Sequence, residues 1–189
     1  MQLDARYHLN GKEQEKFKNK NINLKYLKMK YDIICCHFMI HYLLESEHIF
    51  NNFCDNINEY LDKGGKIIIT VMDGDKVFNN LESNNGLFNG SITDNKGDKI
   101  KIYDIVKKYN NKSVYGCAID IHIASFMEEN TYATEYLVFP EHLIDIFKNK
   151  CNMILLETDL FSNMLNNLES FFVNNNENNK QIDQIKKLY

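Results

Sequence analysis

The sequence predicts an α/β fold organised around a parallel sheet. Three observations carry that expectation. "YDIICCHF" at 31–38 and "KIIITVM" at 66–72 are short apolar runs with the length and branched content of strands buried on both faces. Between them, Phe50, Phe53, Cys54, Ile57 and Leu61 recur at helical spacing. Strand, helix and strand in that order form a parallel crossover unit.

Each element has a local reason. Residues 1–20 are polar and read as helical or loosely ordered. Ser46 stands where an N-cap is needed, just before the amphipathic stretch. Gly64-Gly65 follows it and reads as its terminator. Residues 73–116 are more polar and hold five of the eight glycines, so they read as an insertion with lid-like loops. "KIYDIVKKYN" inside it reads as a helix. "CAIDIHIASF" at 117–126 alternates as a strand does. "PEHLIDIFKNK" opens a helix with Pro140 at its first position. "MILLETDLF" at 153–161 reads as a further strand and "SNMLNNLESFF" as a helix. The chain reads as one domain over 1–172, with the insertion at about 73–127, and a polar Asn-rich tail at 173–189.

Composition excludes several classes. At 44% apolar the chain is not disordered in bulk. No apolar run reaches the ~18 residues that span a bilayer. The polar N-terminus lacks the apolar core of a secretion signal. A soluble protein of the cytoplasm or nucleus is expected, without membrane association. Cys35, Cys36, Cys54, Cys117 and Cys151 have no zinc-ligand spacing, and the adjacent pair reads as buried, reduced thiols. His37 and His41 could share one helical turn, but without a neighbouring Glu-x-x-His pattern no metal is expected. A basic stretch, "KEQEKFKNKNINLKYLKMK", could meet phosphates and more often is a solvated helix face. The net charge of −4 carries no global signature of nucleic-acid binding. The 27 asparagines point to a biased genome and say nothing of chemistry. Asp104, Asp120 and His122 read as solvated polar residues.

The functional expectation begins where the first apolar run ends. In open parallel sheets, ligands sit beyond the carboxyl ends of the strands. Phe38, His41 and Tyr42 follow one such end and Asp73 follows the next, so they could line one cleft.

"YDIICCHFMIHYLLES" resembles the "FD-(I/V)-x-S-C-Q-F-x-x-H-Y-x-F-E-S" stretch of the mRNA cap guanine-N7 methyltransferases. "NINEYLDKGGKIIITVMDGDKVFNNL" is similar to that family's next segment. "VYGCAIDIHIASFMEENTYATEYLVFPEHLIDIFKN" is similar to its lid strands, "EYLV" motif and following helix. The form is that of the capping enzymes of large DNA viruses, and the resemblance covers residues 30–172. It implies a Rossmann-like class I methyltransferase sheet and transfer of a methyl group from S-adenosyl-L-methionine to N7 of the RNA cap guanine. It implies that Phe38, His41, Tyr42 and Glu135 bind the cap, Glu135 receiving guanine N1–H and the exocyclic amine. His37 and Tyr42 match positions beside the methyl donor, and Met72 a wall of the cap pocket. Guanine N7 is already a nucleophile, so no general base is needed and none is assigned.

The chain departs from the family at both ends. It has no glycine-rich turn like "VLDLGCGKGGD", and no final strand like "YFVFEK"; Tyr189 does not safely match the tyrosine that closes the cap pocket. The donor site and the sheet are therefore expected to be incomplete. The resemblance implies an enzyme if the missing segment is supplied, by a capping-enzyme subunit or by the rest of the same protein. The alternative is an inactive methyltransferase remnant that binds an RNA cap or a capping subunit.

Overall fold

The computed structural model describes residues 4–10, 28–94 and 96–164. The chain divides into two compact units, Met1–Met153 and Ile154–Tyr189. The elements that follow all belong to the first.

β1 (Tyr31–His37) leads through a short helical turn, α1 (Ile40–Leu43), into α2 (Glu47–Tyr60). Ser46 caps α2, its Oγ accepting from the Ile49 N–H at 3.3 Å. β2 (Leu61–Thr70) returns parallel to β1, with Ile33 opposite Lys66 and His37 opposite Thr70. The expected crossover unit is therefore present. Gly64-Gly65 has a different role from the one expected. α2 already ends at Tyr60, with Leu61 extended behind it. Both glycines lie in β2, where the register slips between Tyr31 and Ile33. Gly64 has φ 80°, and a Cβ on Gly65 would meet the Asp62 and Asp32 carbonyls at 2.9 and 3.0 Å. The pair makes a strand bulge that only glycine fits.

After β2 come α3 (Gly74–Ser83) and an antiparallel sheet of β3 (Leu87–Thr93), β4 (Lys99–Lys107), β5 (Ala118–Ile123) and β6 (Ala133–Tyr136), in that spatial order. The helix expected within "KIYDIVKKYN" is β4. Its branched residues pair with β3 on one side and β5 on the other, and that tertiary pairing overrides a helical reading of a short stretch. α4 (Pro140–Cys151) starts at Pro140 as expected.

Three further sequence expectations need correction. β1 is not buried on both faces: Cys36 is 2% exposed, while Ile33 on the other face is 55% exposed, and Cys35 is an exposed thiol. Among the described residues, α2 and its neighbours cover the pair from one side. No strand forms among residues 152–160. Asp104 and His122 are buried rather than solvated. Most of the expected N-terminal helix, most of "SNMLNNLESFF" and the tail at 173–189 lie outside the described residues.

Two cores result. Cys36, Ile40, Leu43, Phe50, Phe53, Ile57 and Phe147 pack between the parallel pair and its helices. Val77, Leu81, Ile105, Ile119 and Ile121 pack between α3 and the antiparallel sheet. The extended segment joining β6 to α4 serves both. Val138 enters the first core, and its neighbours Leu137 and Phe139 enter the second, as the two-residue period of extended chain requires.

Gly74 fixes that segment. Its N–H donates to the Val138 carbonyl at 3.0 Å, and a Cβ at Gly74 would stand 2.3 Å from that same oxygen. Gly74→Ala is expected to destabilise the fold by about 2–3 kcal/mol, because backbone rather than a flexible side chain must move. Urea unfolding of the two proteins checks this; equal midpoints would contradict it.

Candidate functional site

The carboxyl end of the parallel pair holds the first group of residues named from the sequence. His37 ends β1, and its Nδ1 lies 3.2 Å from Thr70 Oγ1 on β2. The next residue, Phe38, donates its N–H to the Thr70 carbonyl at 2.9 Å. Phe38 has φ 47°, in the left-handed region that a bulky residue adopts only at a cost. The chain turns sharply there, and the Phe38 ring is left 54% exposed. Thr70 organises this turn. Sequence reading passed it over, although its place at the end of the second apolar run was the available signal.

α1 then presents His41 and Tyr42 in opposite ways. Tyr42 is half-exposed, while His41 is 5% exposed. Their rings meet edge to face at 4.3 Å. Glu135, on the edge strand β6, comes to both. The Tyr42 hydroxyl donates to Glu135 Oε1 at 3.2 Å, across 93 residues of sequence. His41 Nε2 lies 3.5 Å from Glu135 Oε2. His41, Tyr42 and Glu135 are thus assembled at one place. Phe38 and His37 sit at the adjoining strand end. Asp73 is not free to act in a cleft in the same way: its carboxylate caps α3, accepting from the Lys76 N–H at 3.1 Å. Met72 packs on the second core.

Burial sets the charge states. It pushes the Glu135 carboxyl above its ordinary range, an effect opposed by the hydrogen bond from Tyr42. Burial also raises the Tyr42 hydroxyl, with the charge of Glu135 adding to it. His41 is held down to about 4 by loss of water, so its ring is neutral at pH 7. The contact with Glu135 is therefore not an ion pair. Among the described residues, neither ring nitrogen of His41 has a hydrogen-bond partner, although both are buried. Buried imidazole nitrogens without partners are costly and uncommon in a folded protein. They give the site unmet capacity for a polar ligand.

The arrangement can do the following chemically. A carboxylate with one oxygen engaged by a tyrosine can accept donors from a ligand edge. A neutral imidazole beside it can give one N–H and receive one. The Phe38 and Tyr42 rings offer apolar faces for a planar group.

The profile of the mRNA (guanine-N(7))-methyltransferase domain matches residues 10–188. A probable mRNA-capping enzyme of Acanthamoeba polyphaga mimivirus is 43% identical over 157 residues. That match covers 82% of this chain, and the chain spans only 13% of the length of that relative. Among solved structures, a S-adenosylmethionine-dependent methyltransferase from Clostridium acetobutylicum ATCC 824 matches with a TM-score of 0.39 and 17% identity, over 70% of this chain and 49% of that one.

Two outcomes are expected from the site's electrostatics. Tyr42→Phe removes a partly exposed hydrogen bond to a carboxylate and should cost roughly 1 kcal/mol of stability, read by urea unfolding. Acid should act through His41. The unfolded ring titrates near 6.5 and the folded one at about 4. Between those values the unfolded chain binds a proton that the folded chain refuses. Stability from this source is therefore complete above 6.5 and falls as pH drops toward 4, by about 3 kcal/mol at most. Glu135, with its raised value, works in the opposite direction and gains stability as pH falls through it. His41→Gln should remove the descending limb, so its unfolding midpoint should drop less than wild type between pH 7 and pH 4.5. Parallel losses would rule the assignment out.

Proposed function

The chain belongs to the mRNA (guanine-N(7))-methyltransferase domain family, and from that premise we propose that it carries the cap-guanine side of a site for methyl transfer to N7 of the RNA cap. The observation that carries this reading is the convergence of Tyr42, His41 and Glu135 from distant parts of the chain. In this reading the parallel pair is part of a Rossmann-like sheet, and residues at about 73–127 form a lid over the cleft.

The residues suit a guanine. Glu135, ionised, accepts N1–H and the exocyclic amine, two donors that adenine does not present together on that edge. Tyr42 must share or release Oε1 when the base enters. Neutral His41 has an N–H available for an acceptor on the ring. Phe38 and Tyr42 supply apolar faces that hold the purine plane. N7 carries an in-plane lone pair and no proton, so the chain's task is positioning and electrostatics rather than base catalysis. The buried negative charge of Glu135 also favours the positive charge that the base acquires.

S-adenosyl-L-methionine would supply the electrophilic methyl group. The exposed Phe38 and Tyr42 rings and the His37 ring at the strand end fit one wall of a donor site. The glycine-rich turn typical of such sites is absent from this sequence. The site in this chain is accordingly a partial one, to be completed by a capping-enzyme subunit or by further sequence of the same enzyme. The second reading, a remnant that binds a cap or a capping subunit without transfer, rests on that same absence.

Calorimetry separates the two. Saturable binding of S-adenosylhomocysteine supports the enzyme, and binding of a guanine cap analogue without it supports the remnant. Under either, Glu135→Ala should weaken cap-analogue binding by about 1–3 kcal/mol, the cost of leaving buried donors unpaired. Unchanged titration curves would withdraw Glu135 from the site.

A further inference from the structure

Among the described residues, the groups around the Glu135 carboxylate differ in how freely they can move. α1 is held by Ile40 and Leu43, both buried in the first core. The His41 side chain is buried, and that of Glu135 is only 13% exposed, so neither can leave without vacating packed space. Tyr42 is 43% exposed. A small rotation of its ring takes the hydroxyl off the carboxylate and into water, while α1 stays in place and the ring face stays at the cleft.

The two carboxylate oxygens are also engaged unequally. Oε1 accepts from the Tyr42 hydroxyl at 3.2 Å. Oε2 faces His41 Nε2 at 3.5 Å, and that nitrogen makes no hydrogen bond among the described residues. Oε2 is open to an incoming donor as it stands, and Oε1 is held. A carboxylate that has lost water and has no donor is costly, so a built-in donor stabilises the empty site. The same donor stands in the way of a ligand that needs both oxygens.

Resting on the cap-guanine reading above, we propose that Tyr42 is a displaceable latch on the site. With the site empty, its hydroxyl holds the Glu135 oxygen that the second of guanine's two edge donors takes on binding, and it returns to that oxygen as the base leaves. The latch keeps the empty site satisfied and favours release. It acts only against a ligand with two donors. Inosine keeps N1–H and lacks the exocyclic amine, so it needs one oxygen and can use Oε2 with the latch closed.

Calorimetry of the full chain at pH 8, with an unmethylated guanosine cap analogue and its inosine counterpart, tests this. Tyr42→Phe keeps the ring and removes the hydroxyl. It should bind the guanosine analogue roughly two- to ten-fold more tightly than wild type, the weight of one exchanged hydrogen bond. Its affinity for the inosine analogue should be unchanged. Carbon-13 NMR of the Glu135 carboxyl gives a reading without ligand. The bond from Tyr42 holds that group down against the effect of burial, so its titration should move to higher pH in Tyr42→Phe. Guanosine affinity unchanged in Tyr42→Phe would mean that Oε1 is shared, and weakened affinity would mean that the hydroxyl binds the base. Either result overturns the latch and leaves the cap reading standing, as would an equal gain for both analogues or an unmoved carboxyl titration. A guanosine analogue that binds neither protein, or binds Glu135→Ala as tightly as wild type, removes the cap reading and the latch with it.

Discussion

The close approach of Gly74 to the Val138 carbonyl is the constraint on which the rest of the structure depends. β2 ends just before Gly74, and β6 ends just before the segment containing Val138. Their contact joins the carboxyl end of the parallel pair to the edge of the antiparallel sheet. Because extended chain alternates its side chains, one short segment then closes two cores at once. Glu135 stands on β6 immediately before that crossing. Its position opposite α1 follows from the crossing rather than from any feature of its own neighbourhood.

Placing a carboxylate there has an electrostatic consequence. Glu135 and His41 lose water together, yet the histidine does not become a counter-ion. Its nearest oxygen is 3.5 Å away, and burial outweighs the attraction. Among the described residues, Tyr42 alone meets the carboxylate with a hydrogen bond. An acceptor with one partner and an imidazole with none form a polar site that is assembled but not satisfied. Sites of this kind suit ligand recognition, because the missing bonds come from the ligand. The left-handed backbone at Phe38 belongs to the same device. It turns the chain from β1 into α1 quickly enough to leave the ring exposed beside the strand end.

Much of this was legible in the residues. The parallel unit could be read from its two apolar runs. Ser46 as the cap of α2 and Pro140 as the first residue of α4 act locally and were placed correctly for that reason. The family resemblance named His41, Tyr42 and Glu135 together, and the chain brings them together. Other elements were misread where the deciding contact is remote. β4 is a strand because β3 and β5 flank it, and the stretch alone does not show that. Gly64-Gly65 suited a helix end equally well until the bulge against Asp32 was seen. β1 looked like a strand buried on both faces because composition records apolarity, not what lies on either side.

The sequence by itself determined the local grammar of this protein: its caps, its strand–helix–strand unit, its α/β class and, through resemblance, its family. Periodicity and capping are properties of a few consecutive residues, so they survive without a fold. Only the tertiary structure decided that Glu135 meets Tyr42, that His41 is neutral, and that Asp104 and His122 are buried opposite each other on β4 and β5. Those outcomes depend on which strands pair and how much water is excluded. Both are fixed by contacts between residues far apart in the chain.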